Sequence, residues 1–303
     1  MNDIRTTELP TDETRTNEIR RVAVVGAGKM GAGIAEVFAR AGLDTVVCEK
    51  DRAALRAARG RIDRSLHRAV DRGRIDPAER ESSWAHLLFA DDPAALADRQ
   101  LVVEAVVEDE HAKTEVLTTL DKVLVDDGAI LATNTSSIPV TRLGIATGRA
   151  SHVLGLHFFN PAPVMPLVEL VSSLHTDRTA LRRVEAFARD ALGKHVIHSR
   201  DRAGFVVNAL LVPYLLSAIR MAEAGHATPE DIDAGMVHGC AHPMGPLALA
   251  DLIGLDTVEA IARSLYDEYK EPLYAPPPLL SRMVEAGLLG RKSGHGFHPH
   301  RTS

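Results

Sequence analysis

Four apolar residues, Val22 to Val25, run directly into Gly26-Ala27-Gly28-Lys29-Met30-Gly31, and a helix-favouring stretch from Ile34 to Arg40 follows. No other part of the chain restricts the fold as much. In a GxGxxG loop between a buried strand and a helix, the first glycine allows a tight turn and the second lets backbone approach a pyrophosphate. The third lets the helix pack against the sheet, with its N-terminal amides facing the phosphates. Gly42 then ends the helix. This context reads as a dinucleotide site rather than a merely structural turn, and it implies a parallel sheet covered by helices.

Asp44 to Cys48 reads as the second strand and ends at Glu49, about twenty residues past the loop. A carboxylate there accepts hydrogen bonds from the adenosine ribose and repels a 2′-phosphate, so NAD is the expected cofactor. Lys50 and Arg52 follow at once. Two cations turned inward could hold such a phosphate, which keeps NADP as the alternative.

Short β-rich runs alternate with helical ones from Arg21 to about Asp201, including Leu101 to Ala105, Ala129 to Ala132 and Val153 to Leu156. The expected fold class is α/β: a Rossmann-like, doubly wound parallel sheet over residues 21–201. A helical hairpin is inserted after the second strand, with one helix near Arg52 to Asp71. The other is opened by Asp76-Pro77-Ala78-Glu79, a capping box with proline at the first helical position. After Asp201 the texture changes to long periodic apolar stretches, Phe205 to Ala224 and Asp256 to Tyr269, with Thr228-Pro229 opening a further helix. Residues 202–303 therefore read as an all-helical domain. Its broad apolar faces suggest a homodimer.

At 303 residues, 45% hydrophobic and 25% charged, the chain is long enough for two domains. No apolar run approaches the roughly twenty residues of a membrane span. Residues 1–20 are polar, lack a signal-peptide core and read as a disordered tail. Cys48 and Cys240 form no metal-like cluster, so no metal is expected, and reduced thiols in the cytoplasm are the default. A net charge of −6 argues against nucleic acid as a partner.

Chemistry concentrates where strands end. His157, in Gly155-Leu156-His157-Phe158-Phe159-Asn160-Pro161, sits at a strand end beside a proline turn. If the chain reverses there, Glu169 on the returning strand reaches the imidazole, fixes its tautomer and stabilises the imidazolium. The competing reading is a satisfied turn histidine. Asn134-Thr135-Ser136-Ser137 also follows an apolar strand; Ser136 is suited to holding a substrate oxygen, while Ser137 could simply cap the next helix. Ser136 lacks a GxSxG elbow, which disfavours a hydrolase. Arg61, Arg64, Arg68 and Arg72 line one face of the first insertion helix, either as a phosphate-gripping ridge or as a solvated face paired with acids such as Asp63 and Asp71.

Taken together, GAGKMGAGIAEVFARAG, VVEAVVE, NTSSIP, GLHFFNPAPVM, GFVVNALLVPYL, HPMGPLALADLIGLD and GLLGRKSGHGF make the chain closely resemble the 3-hydroxyacyl-CoA dehydrogenases, above all their 3-hydroxybutyryl-CoA branch, from Arg21 to Phe297. The resemblance implies NAD-dependent, reversible oxidation of an (S)-3-hydroxyacyl-CoA to its 3-oxoacyl-CoA, in fatty-acid or butanoate metabolism. It assigns proton transfer to His157 with Glu169, and substrate contacts to Ser136 and Asn208. Cofactor contacts fall on Gly26, Gly28, Lys29, Met30, Gly31, Glu49, Glu108, Lys113, Ser136, Asn160 and Lys292. Ser65, Arg72 and Ser136 are its CoA contacts, which favours the phosphate-gripping reading of the ridge. Pro166 and Ala209 depart from the common lysine and arginine, and Glu49 from the common aspartate. Two rival expectations are the same hydride chemistry on a carrier-protein thioester and a non-catalytic dinucleotide-binding structural protein.

Overall fold

The computed structural model describes residues 18–300. Of the segment expected as a disordered tail, residues 1–17 lie outside the described residues. Residues 18–20 are ordered: Ile19 is 3% exposed, and the Arg20 amide donates to Gln100 Oε1 at 2.9 Å. The chain divides into two compact units. One runs up to Thr135 and resumes over Val140–Asp201; the other joins Ser136–Pro139 to the residues from Arg202 onward.

The first unit contains β1 (Arg21–Val25), α1 (Lys29–Arg40), β2 (Asp44–Cys48), α2 (Arg52–Asp71), α3 (Pro77–Ala85), β3 (Leu87–Ala90), β4 (Leu101–Glu104), α4 (Glu110–Val123), β5 (Ile130–Thr133), α5 (Val140–Ile145), β6 (Val153–Phe158), β7 (Leu167–Ser172), α6 (Arg178–Ala186) and β8 (His195–Arg200). Its strands form one Rossmann-like sheet in the order β3-β2-β1-β4-β5-β6-β7-β8. The chain moves outward from β1 to β3, then restarts at β4 on the other side of β1. That reversal opens a crevice at the carboxyl ends of β1 and β4, where ligands bind in such sheets. All neighbours are parallel except β6 and β7. The link from Phe159 to Pro166 is shorter than the dozen or so residues that a parallel crossover needs, so the chain turns back instead.

Every residue of β4 and β5 is buried. Covering both faces of a parallel strand demands a continuous apolar run, which is why these strands are plain in the sequence. The edge strands are not: in β3, Leu88 is 57% exposed, and β8 mixes histidine, serine and arginine with two aliphatic residues. Phe38 of α1 is fully buried and meets the Phe158 and Phe187 rings edge-on, with centroids 6.4 Å and 5.6 Å away. Burying a phenylalanine this way contributes about 1.5–3 kcal/mol and ties the helix after the glycine loop to the strand that carries His157.

The second unit is helical: α7 (Val207–Glu223), α8 (Pro229–Cys240), α9 (Pro246–Ile253), α10 (Leu255–Tyr269) and α11 (Pro278–Glu285). Leu215, Leu216, Ile219, Leu247, Val258 and Leu265 are fully buried in a core of its own. Two buried aspartates hold the C-terminal segment. The Asp251 carboxylate accepts the Phe297 and His298 amides, while His298 Nε2 lies 2.8 Å from Asp233 Oδ2. A Cβ on Gly290 would stand 2.3 Å from the Asp251 carbonyl oxygen, and one on Gly296 2.0 Å from Asp251 Oδ1, so this close approach requires glycine at both positions. No helix of the described residues is long and apolar enough to cross a membrane.

Candidate active site

At the glycine loop, Gly26 adopts φ +83°, and a Cβ there would stand 2.8 Å from Val106 in the loop that follows β4. A Cβ on Gly31 would lie 1.8 Å from the Gly26 carbonyl oxygen, whereas one on Gly28, the N-cap of α1, meets nothing within 4 Å. The first and third glycines are thus dictated by protein atoms and the second by open space over the helix N-terminus. That arrangement fits a dinucleotide pyrophosphate. Lys29 is exposed at the start of α1 and Met30 is half-buried against the core. From the end of β2, Glu49 Oε1 accepts the Ala27 amide at 2.7 Å.

The reversal after β6 sets His157 directly opposite Glu169 in the antiparallel register. His157 Nδ1 is 2.7 Å from Glu169 Oε2, with Glu169 fully buried and His157 6% exposed. A carboxylate only accepts, so Nδ1 carries a proton, and in the neutral ring Nε2 then holds the acceptor lone pair, the tautomer a general base needs. The Phe159 ring packs edge-on against the imidazole at 4.8 Å. The Asn134 side-chain oxygen accepts the Phe158 amide at 2.8 Å, fixing the strand end from the neighbouring loop. Asn160 is exposed at the start of the turn. Beneath that turn, buried Lys194 donates through Nζ to the Ala162 and Met165 carbonyls at 2.8 Å and 2.7 Å. Burial pushes the Lys194 ammonium below its usual range, with the Arg40 charge adding to the effect.

A charged network lies at the same sheet edge. Glu104 is fully buried at the end of β4. Its Oε1 is 2.8 Å from Lys113 Nζ and accepts the Val106 amide at 2.7 Å, and its Oε2 accepts the Thr133 hydroxyl at 2.7 Å. Lys113 Nζ also lies 3.3 Å from Glu108 Oε2, and the Thr135 hydroxyl donates to Glu108 Oε1 at 2.6 Å. Lys113, expected to touch cofactor, is itself 1% exposed, while Glu108 remains 38% exposed. The lysine is placed to brace the more accessible glutamate.

Three of the expected site residues lie in the helical unit. Ser136 starts the short segment Ser136–Pro139, and in that segment the Ser137 carbonyl accepts the Ser264 hydroxyl of α10 at 2.9 Å. Asn208 occupies the first turn of α7, just after Gly204 at φ +73° and Phe205 at φ +47°. A left-handed phenylalanine is strained, and such strain persists only where surrounding packing imposes it. Lys292 is ion-paired with Asp256.

On α2, Ser65 is half-buried and Arg72 exposed at the helix end. Asp63 pairs with Arg80 and His67, and among the described residues Arg61, Arg64, Arg68 and Arg72 form no ion pairs, although Arg61 donates to the Ala27 carbonyl and the Arg68 charge acts on buried Glu36. Beneath them Glu36 of α1 is 1% exposed, and its Oε2 has no hydrogen bond among the described residues. Burial pushes this carboxyl up, opposed by the Ser65 hydroxyl and by Arg40 and Arg68. An acid whose folded pKa is raised destabilises the fold as pH climbs through the carboxylate range, because folding then buries a charge. We predict that Glu36→Gln raises the Tm at pH 7 and that its advantage shrinks towards pH 4. Thermal melts of both proteins at the two pH values check this; a Gln variant less stable at pH 7 would contradict it.

The model for the NAD-binding domain of 3-hydroxyacyl-CoA dehydrogenases matches residues 21–202, and that for their C-terminal domain matches residues 204–300. The chain belongs to the 3-hydroxyacyl-CoA dehydrogenase family. It is 58% identical to a 3-hydroxybutyryl-CoA dehydrogenase of Mycobacterium tuberculosis, an alignment covering 93% of this chain and 99% of that protein. The human mitochondrial hydroxyacyl-coenzyme A dehydrogenase is 37% identical over 93% of this chain and 92% of its own length. Among solved structures, (S)-3-hydroxybutyryl-CoA dehydrogenase PaaH1 from Ralstonia eutropha superposes with a TM-score of 0.89 at 41% identity, covering 94% of this chain and 100% of that one.

Within this dehydrogenase framework, motif reading gave no bracing role to Glu104, Asn134 or Lys194, although each braces a segment carrying an expected site residue. Glu104 left one signal, a carboxylate ending an otherwise apolar strand. Asp201 left none: its carboxylate accepts the Val140 and Thr141 amides at 2.8 Å and 2.6 Å from sixty residues away, capping α5.

Proposed function

We propose that this protein is an NAD-dependent dehydrogenase that reversibly oxidises a short-chain (S)-3-hydroxyacyl-CoA, with 3-hydroxybutyryl-CoA and acetoacetyl-CoA as its substrate pair. The reading rests on the 2.7 Å hydrogen bond between His157 Nδ1 and buried Glu169, on the sheet edge that carries the glycine loop. The names of the relatives support the substrate class.

In the oxidative direction His157 Nε2 takes the C3 hydroxyl proton as C3 becomes a carbonyl carbon, a contribution of about 10²–10⁴ in rate. The buried Glu169 carboxylate offsets the imidazolium charge and keeps the ring in its productive tautomer. Ser136 and Asn208 orient the substrate oxygen. The glycine loop and Glu49 would hold the NAD, which would supply the hydride acceptor for C3 in oxidation and the hydride donor in reduction. In reduction the proton returns from His157 to the carbonyl oxygen. Ser65 and Arg72 face the CoA moiety, with the arginine ridge of α2, which forms no ion pairs among the described residues, favouring its phosphates. The reading extends to a cytoplasmic homodimer. Two unpaired cysteines support the compartment, and exposed Leu210, Met221 and Leu252 on the helical unit support self-association.

The test is absorbance at the reduced-nicotinamide band while purified protein meets acetoacetyl-CoA and NADH. Rapid NADH loss with 3-hydroxybutyryl-CoA as product is the expected result. Turnover only with a carrier-protein thioester would move the substrate assignment, and NADH binding without turnover of either thioester would make this a non-catalytic member of the family.

A further inference from the structure

Ala27, inside the glycine loop, is held from two directions. Glu49 Oε1 accepts its amide at 2.7 Å, and Arg61 Nη1, reaching across from α2, donates to its carbonyl at 3.1 Å. The ribose-reading acid and an arginine therefore flank one loop residue. Of the two cations next to Glu49 in sequence, Lys50 is exposed and Arg52 has its Nε 3.4 Å from Asp91 Oδ2, which offsets its charge. Arg61 forms no ion pair among the described residues, and a guanidinium has five N–H donors, of which the loop carbonyl takes one.

We infer that Arg61 is a specificity-determining residue of the dinucleotide site: the cation that lets it accept a 2′-phosphorylated adenosine ribose alongside the unphosphorylated one. The inference rests on the cofactor reading above and goes beyond it. Alone, the Glu49 carboxylate would repel a 2′-phosphate. Here one of its oxygens is engaged by the Ala27 amide, and the guanidinium held on the Ala27 carbonyl sets one positive charge against its negative one. Arginine presents paired donors that match phosphate oxygens, so the phosphorylated ribose meets an attraction as well as a repulsion. Glu49 keeps the unphosphorylated form preferred, and Arg61 sets how large that preference is.

Calorimetric titration of the full chain with NADH and NADPH tests this, alongside ADP-ribose and 2′-phospho-ADP-ribose, which lack nicotinamide and report binding without turnover. Arg61→Gln retains a donor for the Ala27 carbonyl but removes the charge; Arg61→Lys retains the charge. We expect both dinucleotides to bind the native protein. The NADPH-to-NADH affinity ratio should fall about tenfold in Arg61→Gln, with the same change in the ADP-ribose pair, and largely recover in Arg61→Lys. A ratio within twofold of native in Arg61→Gln, or no NADPH binding by the native protein, would overturn the inference. Failure of NADH and ADP-ribose to bind at all would instead overturn the cofactor reading beneath it.

Discussion

Replacing His157 by glutamine should leave NADH binding close to native while lowering turnover of acetoacetyl-CoA by about 10²–10⁴. Glutamine keeps a polar side chain that can still donate to Glu169 Oε2, so the buried carboxylate 2.7 Å from the imidazole retains a partner and the antiparallel pair of strands keeps its register. What the variant loses is a group that can carry a proton near neutral pH. The dinucleotide loop follows a different strand and is shaped by Gly26, Gly31 and Val106, none of which the substitution touches. Calorimetric titration with NADH and steady-state rates on one preparation separate the two effects. Native-like turnover in the glutamine variant would remove His157 from the mechanism.

The second large effect is on stability. Lys113→Met should destabilise the protein by about 3–5 kcal/mol, because it strands the Glu104 carboxylate as an uncompensated buried charge. Glu104 is fully buried and Lys113 is 1% exposed, so water cannot replace the lost partner. The Val106 amide and Thr133 hydroxyl still donate to the carboxylate but bring no net charge. Against a total stability of about 5–15 kcal/mol for a typical domain, this is a large fraction. Replacing both members, Glu104→Leu with Lys113→Met, should recover most of the loss, since an apolar pair has no charge to desolvate. Urea unfolding followed by circular dichroism reads both variants. A single variant that unfolds at the native midpoint would show that the pair contributes little. Because Lys113 also braces Glu108, the single variant is further expected to weaken NADH binding.

Motif reading found residues whose role is local or follows from one reversal of the chain. The glycines of the loop are visible because two are imposed by contacts within a few residues or with the loop after the adjoining strand, and the capping box at Asp76–Glu79 closes inside one helical turn. His157 and Glu169 meet because a short proline-containing link permits only an antiparallel return, and the register follows from its length. Lys113 and Lys292 were expected at the cofactor from resemblance alone. Their surroundings here, a buried ion-pair network and an ion pair with Asp256, depend on contacts that sequence spacing does not encode.

From the order of its apolar runs and the glycines between them, the sequence by itself determined a sheet unit followed by a helical one and a dinucleotide loop after the first strand, and it placed a histidine at a strand end with a glutamate within reach if the chain reversed. These features are set by periodicity and by chain geometry over short distances. Only the tertiary structure decided that β3 joins the sheet, that Ser136–Pro139 packs with the helical unit, that Glu104 and Lys113 neutralise each other in the core, and that Arg61 reaches the loop from the insertion. Each of these depends on residues brought together by the packing of separate elements. Burial there turns ordinary polar side chains into obligatory partners, and the linear chain carries no periodic signal of which partner each will meet.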